Sequence, residues 1–138
     1  MRLNFPFTET ASLINKRFGK IIEFNYINEN TVSIGYEASI VGSFKKKFCI
    51  NVTVNKVENE DVFLQCSAGR QLTDLLLNKA ISALLRYFDT QVVTKGISNE
   101  FTVHLKEIEQ AKTALEKIDV QSIRFSQYAI LVNFCLKE

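Results

Sequence analysis

Through residues 21 to 67 the large apolar side chains keep to even positions and the polar ones to odd positions, across four consecutive segments. Ile22, Phe24, Tyr26, Val32, Ile34, Tyr36, Phe48, Ile50, Val52, Val54, Val62 and Leu64 belong to the series. Side chains of a strand alternate between faces, so a parity that survives every turn describes one antiparallel sheet with an apolar face and a solvated face. A slip of one residue in any segment would turn its apolar set to water, at about 1.5–3 kcal/mol for each large side chain. The register is therefore tightly specified.

Parity also constrains loop length. Three-residue loops at Asn28-Glu29-Asn30, Val41-Gly42-Ser43 and Glu58-Asn59-Glu60 keep every segment in phase. They predict Tyr26 opposite Val32, Phe24 opposite Ile34 and Ile22 opposite Tyr36 in the first hairpin. The second sets Ile40 opposite Phe44, Tyr36 opposite Phe48, Ile34 opposite Ile50 and Glu37 opposite Lys47. The third sets Val54 opposite Leu64 and Val52 opposite Cys66. In these loops Asn and Gly supply the residues that tolerate a left-handed backbone.

An apolar sheet face needs a cover, and helical spacing supplies candidates. Arg70 to Phe88 carries Leu72, Leu75, Leu76, Leu77, Ile81, Leu84, Leu85 and Phe88 around much of a helix circumference. That is more than the roughly 100° stripe a surface helix needs. A shorter helix begins at Thr8 as its cap, turns Ala11, Ile14 and Phe18 inward, and stops at Gly19. A third is expected from about Lys106 to Lys117 on the spacing of Ile108, Ala111, Leu115 and Ile118. Phe101, Val103 and Leu105 alternate as a strand. Ile123 and Phe125, a turn at Ser126 to Ala129, then Ile130, Val132, Phe134 and Leu136 form a final hairpin. The expected fold is one α+β domain over 1–138: an antiparallel meander wrapped on a long apolar helix, with two shorter helices and a C-terminal hairpin. In the order helix, four-stranded meander, long helix it resembles the half-barrels of tubular lipid-binding domains, at the level of fold alone.

Composition narrows the function classes. With 138 residues, 17 basic and 15 acidic, the chain has a net charge of +2, too balanced to draw it to nucleic acid or anionic lipid by field alone. Lys45-Lys46-Lys47 is the one basic run, and it lacks the exposed aromatics of a nucleic-acid surface. No nucleic-acid partner is expected. The segment from Met1 to Glu9 holds no uninterrupted apolar run, and no stretch approaches a membrane span. The expectation is a soluble, cytoplasmic protein without a transmembrane segment. Cys49, Cys66 and Cys135 are odd in number, and the register puts Cys49 and Cys66 on opposite faces, so reduced thiols are expected.

Motifs for chemistry are scarce. No Cys or His spacing suits a metal and no glycine loop suits a phosphate, so neither metal nor cofactor is expected. The single histidine, His104, needs a nucleophile or carboxylate within hydrogen-bond reach to be catalytic, and no nearby residue marks one. The expectation is a non-catalytic domain that binds an apolar or lipid-like small molecule between sheet and long helix. Its contacts would be Tyr36 and Phe48 from the sheet and Leu76, Leu84 and Phe88 from the helix. The alternative is a protein-interaction or self-association module, such as a homodimer, using the same apolar surface. An enzyme whose polar groups assemble only in three dimensions ranks last.

Overall fold

The computed structural model describes residues 1–41, 44–69, 78, 79, 81, 82, 85, 86 and 91–137. Their architecture is mostly β. In chain order the elements are β1 (Arg2–Pro6), α1 (Phe7–Phe18), β2 (Ile22–Asn28), β3 (Thr31–Val41), β4 (Phe44–Glu58), β5 (Asp61–Ala68), β6 (Val93–Lys95) and β7 (Glu100–His104). Two 3₁₀ turns, Leu105–Glu107 and Glu109–Ala111, then lead into α2 (Lys112–Leu115), β8 (Ile118–Phe125) and β9 (Ala129–Leu136). Six strands form one antiparallel sheet in the order β2-β3-β4-β5-β7-β6, and three form another in the order β1-β9-β8.

This corrects the expected α+β meander on a long helix. The longest helix among the described residues is α1, at 12 residues. Of the segment from Arg70 to Phe88, Asn78, Lys79, Ile81, Ser82 and Leu85 are helical; Arg70 to Leu77, Ala80, Ala83, Leu84, Tyr87 and Phe88 lie outside the described residues. The likeness to tubular lipid-binding domains rested on that helix and lapses with it. The helix expected over Lys106 to Lys117 is also replaced. Ile108 adopts an extended backbone between the 3₁₀ turns, α2 lasts one turn, and Ile118 pairs with Leu136 as the first residue of β8. The Lys137 amide donates to the Lys117 carbonyl at 2.9 Å, so strand pairing takes the residues that helical spacing would have kept.

The meander pairs as parity requires. Tyr26 faces Val32, Phe24 faces Ile34, Ile22 faces Tyr36, Tyr36 faces Phe48, Ile34 faces Ile50, Glu37 faces Lys47, Val54 faces Leu64 and Val52 faces Cys66. The turns differ. Asn28 pairs with Thr31, Val41 with Phe44 and Glu58 with Asp61, leaving two residues in each turn, with residues 42 and 43 outside the description. Register shifts at Ile27, Ile40 and Asn55 restore the phase. Val41, not Ile40, is therefore opposite Phe44. At the third turn Asn59 and Glu60 both have positive φ, 53° and 68°, the two left-handed residues of a hairpin turn whose twist matches the strands. At the first, the Asn30 amide donates to the Asn28 side chain at 2.9 Å, and neither residue is left-handed.

Helix α1 ends where Gly19 turns left-handed at φ 67° and its amide donates to the Asn15 carbonyl. It starts two residues earlier than expected, with Pro6 and not Thr8 at the cap. Pro6 caps it without a side-chain bond, and the Thr10 hydroxyl donates to the Pro6 carbonyl at 2.9 Å. This placement inserts Phe7 into the core, stacked on Phe24 at 5.3 Å and tilted against Phe125 at 6.5 Å. Phe7 and Phe125 thus join the three-stranded sheet to Val32, Val54 and Val62 of the meander in one buried cluster. A second cluster, Tyr36, Phe48, Ile50, Ile81 and Phe101, lies along the same sheet face. No helix among the described residues is long and apolar enough to cross a membrane.

Candidate functional site

Between these two clusters the described residues leave part of the apolar face of the six-stranded sheet uncovered. A cavity of about 320 Å³ is lined by Ile34 of β3, Ile50 and Val52 of β4, Leu64 and Cys66 of β5, and Phe101 and Val103 of β7. Ile81, Leu85, Val92, Val93 and Ile108 close it. The register explains the wall: Ile34 pairs with Ile50, Val52 with Cys66 and Leu64 with Phe101, so each contributes to one continuous face. Ile50, Ile81 and Phe101 belong to one buried cluster, while Ile34, Val52, Leu64 and Val103 pack against the other. The cavity sits on the seam.

Its chemistry is that of a hydrocarbon surface with one thiol. Burial pushes the Cys66 thiol up to about 11 from 9.0, because the thiolate is poorly solvated there. Cys49, Cys66 and Cys135 are all free. Among the described residues the lining offers no carboxylate, amine or imidazole. It sets size and hydrophobicity, not charge.

Of the residues expected to contact a ligand, Tyr36 and Phe48 are buried and packed on each other at 6.2 Å between ring centroids. They share a cluster with Ile50, Ile81 and Phe101 but are not among the lining residues. Leu76, Leu84 and Phe88 lie outside the described residues. The Tyr36 hydroxyl is buried without a hydrogen-bond partner among the described residues, and desolvation raises its pKa above the usual 10.0. Ile34, Ile50, Val52, Leu64 and Val103 were not singled out, although strand parity already placed them on the apolar face. Val92 and Val93 carried no periodic signal at all.

His104 has partners. Its Nδ1 lies 2.7 Å from Asp61 Oδ1, and its Nε2 lies 2.8 Å from Thr94 Oγ1. These residues face away from the cavity, since Val93 and Val103, their chain neighbours, line it. Lys47 of the basic run is ion-paired to Glu23 at 2.6 Å. Comparison with family models, with curated proteins and with solved structures finds no match to this chain.

Proposed function

We propose that this protein binds an apolar small molecule in the cavity between β3, β4, β5 and β7 on one side and Ile81, Leu85, Val92 and Val93 on the other. The observation that carries the reading is the apolar lining, among the described residues, around about 320 Å³. Ligand pockets run from about 300 to 1,000 Å³, so this one suits a single short chain or ring system and is too small for a two-chain lipid. Burial of such a ligand draws its affinity from the same apolar transfer that holds the two clusters together. The test is native mass spectrometry of gently purified protein, followed by titration with a fluorescent fatty acid. A retained ligand mass or saturable probe binding supports the reading; a clean apo mass together with no probe uptake removes it. Val93→Trp, on the outer strand of the sheet, fills the cavity from its rim and is expected to weaken probe binding by at least about tenfold.

A second reading has its own observation. Leu3 and Phe5 of β1, the outer strand of the three-stranded sheet, are each 44% exposed. An open strand edge with exposed apolar side chains is a pairing surface, and it favours a homodimer or another protein partner. Light scattering on a size-exclusion column distinguishes the two: a strict monomer at high micromolar concentration excludes stable self-association.

A further inference from the structure

Asp61, His104 and Thr94 stand on three adjacent strands, β5, β7 and β6, on the sheet face opposite the cavity. Asp61 pairs directly with His104, and Thr94 lies diagonally beside it, next to Thr102. An ionised carboxylate only accepts, so Asp61 holds the imidazole proton on Nδ1 and leaves Nε2 as the acceptor for the Thr94 hydroxyl. Hydroxyl, base and orienting carboxylate are thereby in hydrogen-bond contact in that order, which is the arrangement that activates a hydroxyl nucleophile. The side chains of His104 and Asp61 are only 25% and 24% exposed, whereas Thr94 is exposed. The base is held and the nucleophile is accessible.

The backbone supplies a further part. The His104 amide donates to the Val92 carbonyl and the Gly96 amide to the Glu100 carbonyl, both at 2.7 Å. In an antiparallel ladder the bonded pairs alternate, so the amides of Val93 and Lys95 point away from β7, at the open edge of the sheet. The Lys95 amide, next in the chain to Thr94, thus has no strand partner among the described residues. An open groove of about 490 Å³, lined by Asp61, Gln91, His104, Lys106 and Glu107, lies beside the base.

We propose that Thr94 is the nucleophile of a second site that accepts the acyl group of a carboxylic ester. Thr94 Oγ1 forms a bond to the ester carbonyl carbon while its proton passes to His104 Nε2. The bond from that carbon to the alkoxy oxygen breaks, and the departing alcohol takes the proton back from Nε2. Water then adds to the acyl-threonine through the same base, releasing the acid and restoring Thr94. Asp61 is a positioning residue. The site lies on the face opposite the cavity, so this inference does not depend on ligand binding there.

The experiment is labelling of the wild-type protein with a fluorophosphonate, with the adduct mapped by tandem mass spectrometry. One adduct at Thr94 is expected. His104→Ala should slow labelling by about a hundredfold, Thr94→Ser should retain it, and Asp61→Asn should lower its rate while Asp61→Glu restores it. No adduct at Thr94 in the wild-type protein, or a rate unchanged in a folded His104→Ala variant, overturns the proposal. Because the wild-type map and the serine variant leave the fold intact, neither result turns on a variant that fails to fold.

Discussion

Val32→Asp places a carboxyl at the most deeply buried side chain of the sheet among the described residues. Val32 is 2% exposed, lies between Tyr26 of β2 and Val52 of β4, and packs with Phe7, Val54, Val62 and Phe125. The substitution forfeits about 1.5–3 kcal/mol of apolar burial. Within a cluster of apolar side chains the carboxyl stays protonated, and holding a group of ordinary pKa near 3.9 neutral at pH 7 costs about 4 kcal/mol. Its unsatisfied donor and acceptor cost a further 1–3 kcal/mol or so. Together these reach roughly 7–10 kcal/mol, comparable with the whole stability of about 5–15 kcal/mol expected of a domain. The pH dependence has a definite sign. With its pKa raised in the folded state, the folded protein binds the extra proton above about pH 3.9, so stability falls as pH rises from 4 to 7. Ser33→Asp, one residue on, faces Asn25 and Asn51 on the solvated side and should change stability by no more than about 0.5 kcal/mol. Urea unfolding of both variants at pH 4 and pH 7, followed by circular dichroism, is the assay. Equal midpoints for the two variants, or a Val32→Asp protein more stable at pH 7 than at pH 4, would refute the face assignment.

A Cβ added at Gly69 would stand 2.5 Å from the Cys49 carbonyl oxygen. Gly69→Ala is therefore expected to cost about 1–3 kcal/mol by displacing backbone, measured as a loss in urea midpoint. At Gly35 the nearest atom would be Lys47 Cε at 3.5 Å, and Gly35→Ala should be neutral or stabilising by under about 1 kcal/mol. Cys66, with its thiol pushed up to about 11, should react with iodoacetamide at pH 8 about a hundredfold more slowly than a thiol of ordinary acidity, read by peptide mass spectrometry. Its folded-state pKa is raised, so the protein should lose stability as pH climbs from 9 toward 11. Tyr36→Phe removes a buried hydroxyl that has no partner among the described residues and should leave thermal stability unchanged or raise it, since removing an unsatisfied polar atom relieves its desolvation.

The pairing of β2 to β5 was legible because each contact between strands repeats the same parity, and one error anywhere would have exposed several large side chains. The turns were not legible. A three-residue loop and a two-residue turn preceded by one bulged residue leave the next strands in the same phase, so Tyr26 meets Val32 either way, and only backbone geometry separates them. The outer strands were missed for a different reason. β1 gains its strand character from pairing with β9 at the far end of the chain, and β6 is three residues long with two polar ones. Neither has enough local periodicity to announce itself. Ile108, Ala111 and Leu115 kept helical spacing, but pairing of Ile118 with Leu136 outweighed it. The apolar wall of the cavity was half readable: Ile34, Ile50, Val52 and Leu64 share a face by parity, whereas the closure by Val92 and Val93 depends on β7 lying between β5 and β6. The same non-consecutive order brings Asp61 to His104, 43 residues away in sequence. Nothing local to the histidine marked its partner.

The most direct measurement of ligand binding is a titration of methyl-labelled protein with a small apolar probe, followed by two-dimensional NMR. Shifts that saturate and centre on Ile34, Ile50, Val52, Leu64, Val93 and Val103, with Leu3 of the outer strand unmoved, are the predicted result. Shifts confined to Leu3 and its neighbours on β9, or no saturable shift at any lining methyl, would contradict a ligand site in the cavity.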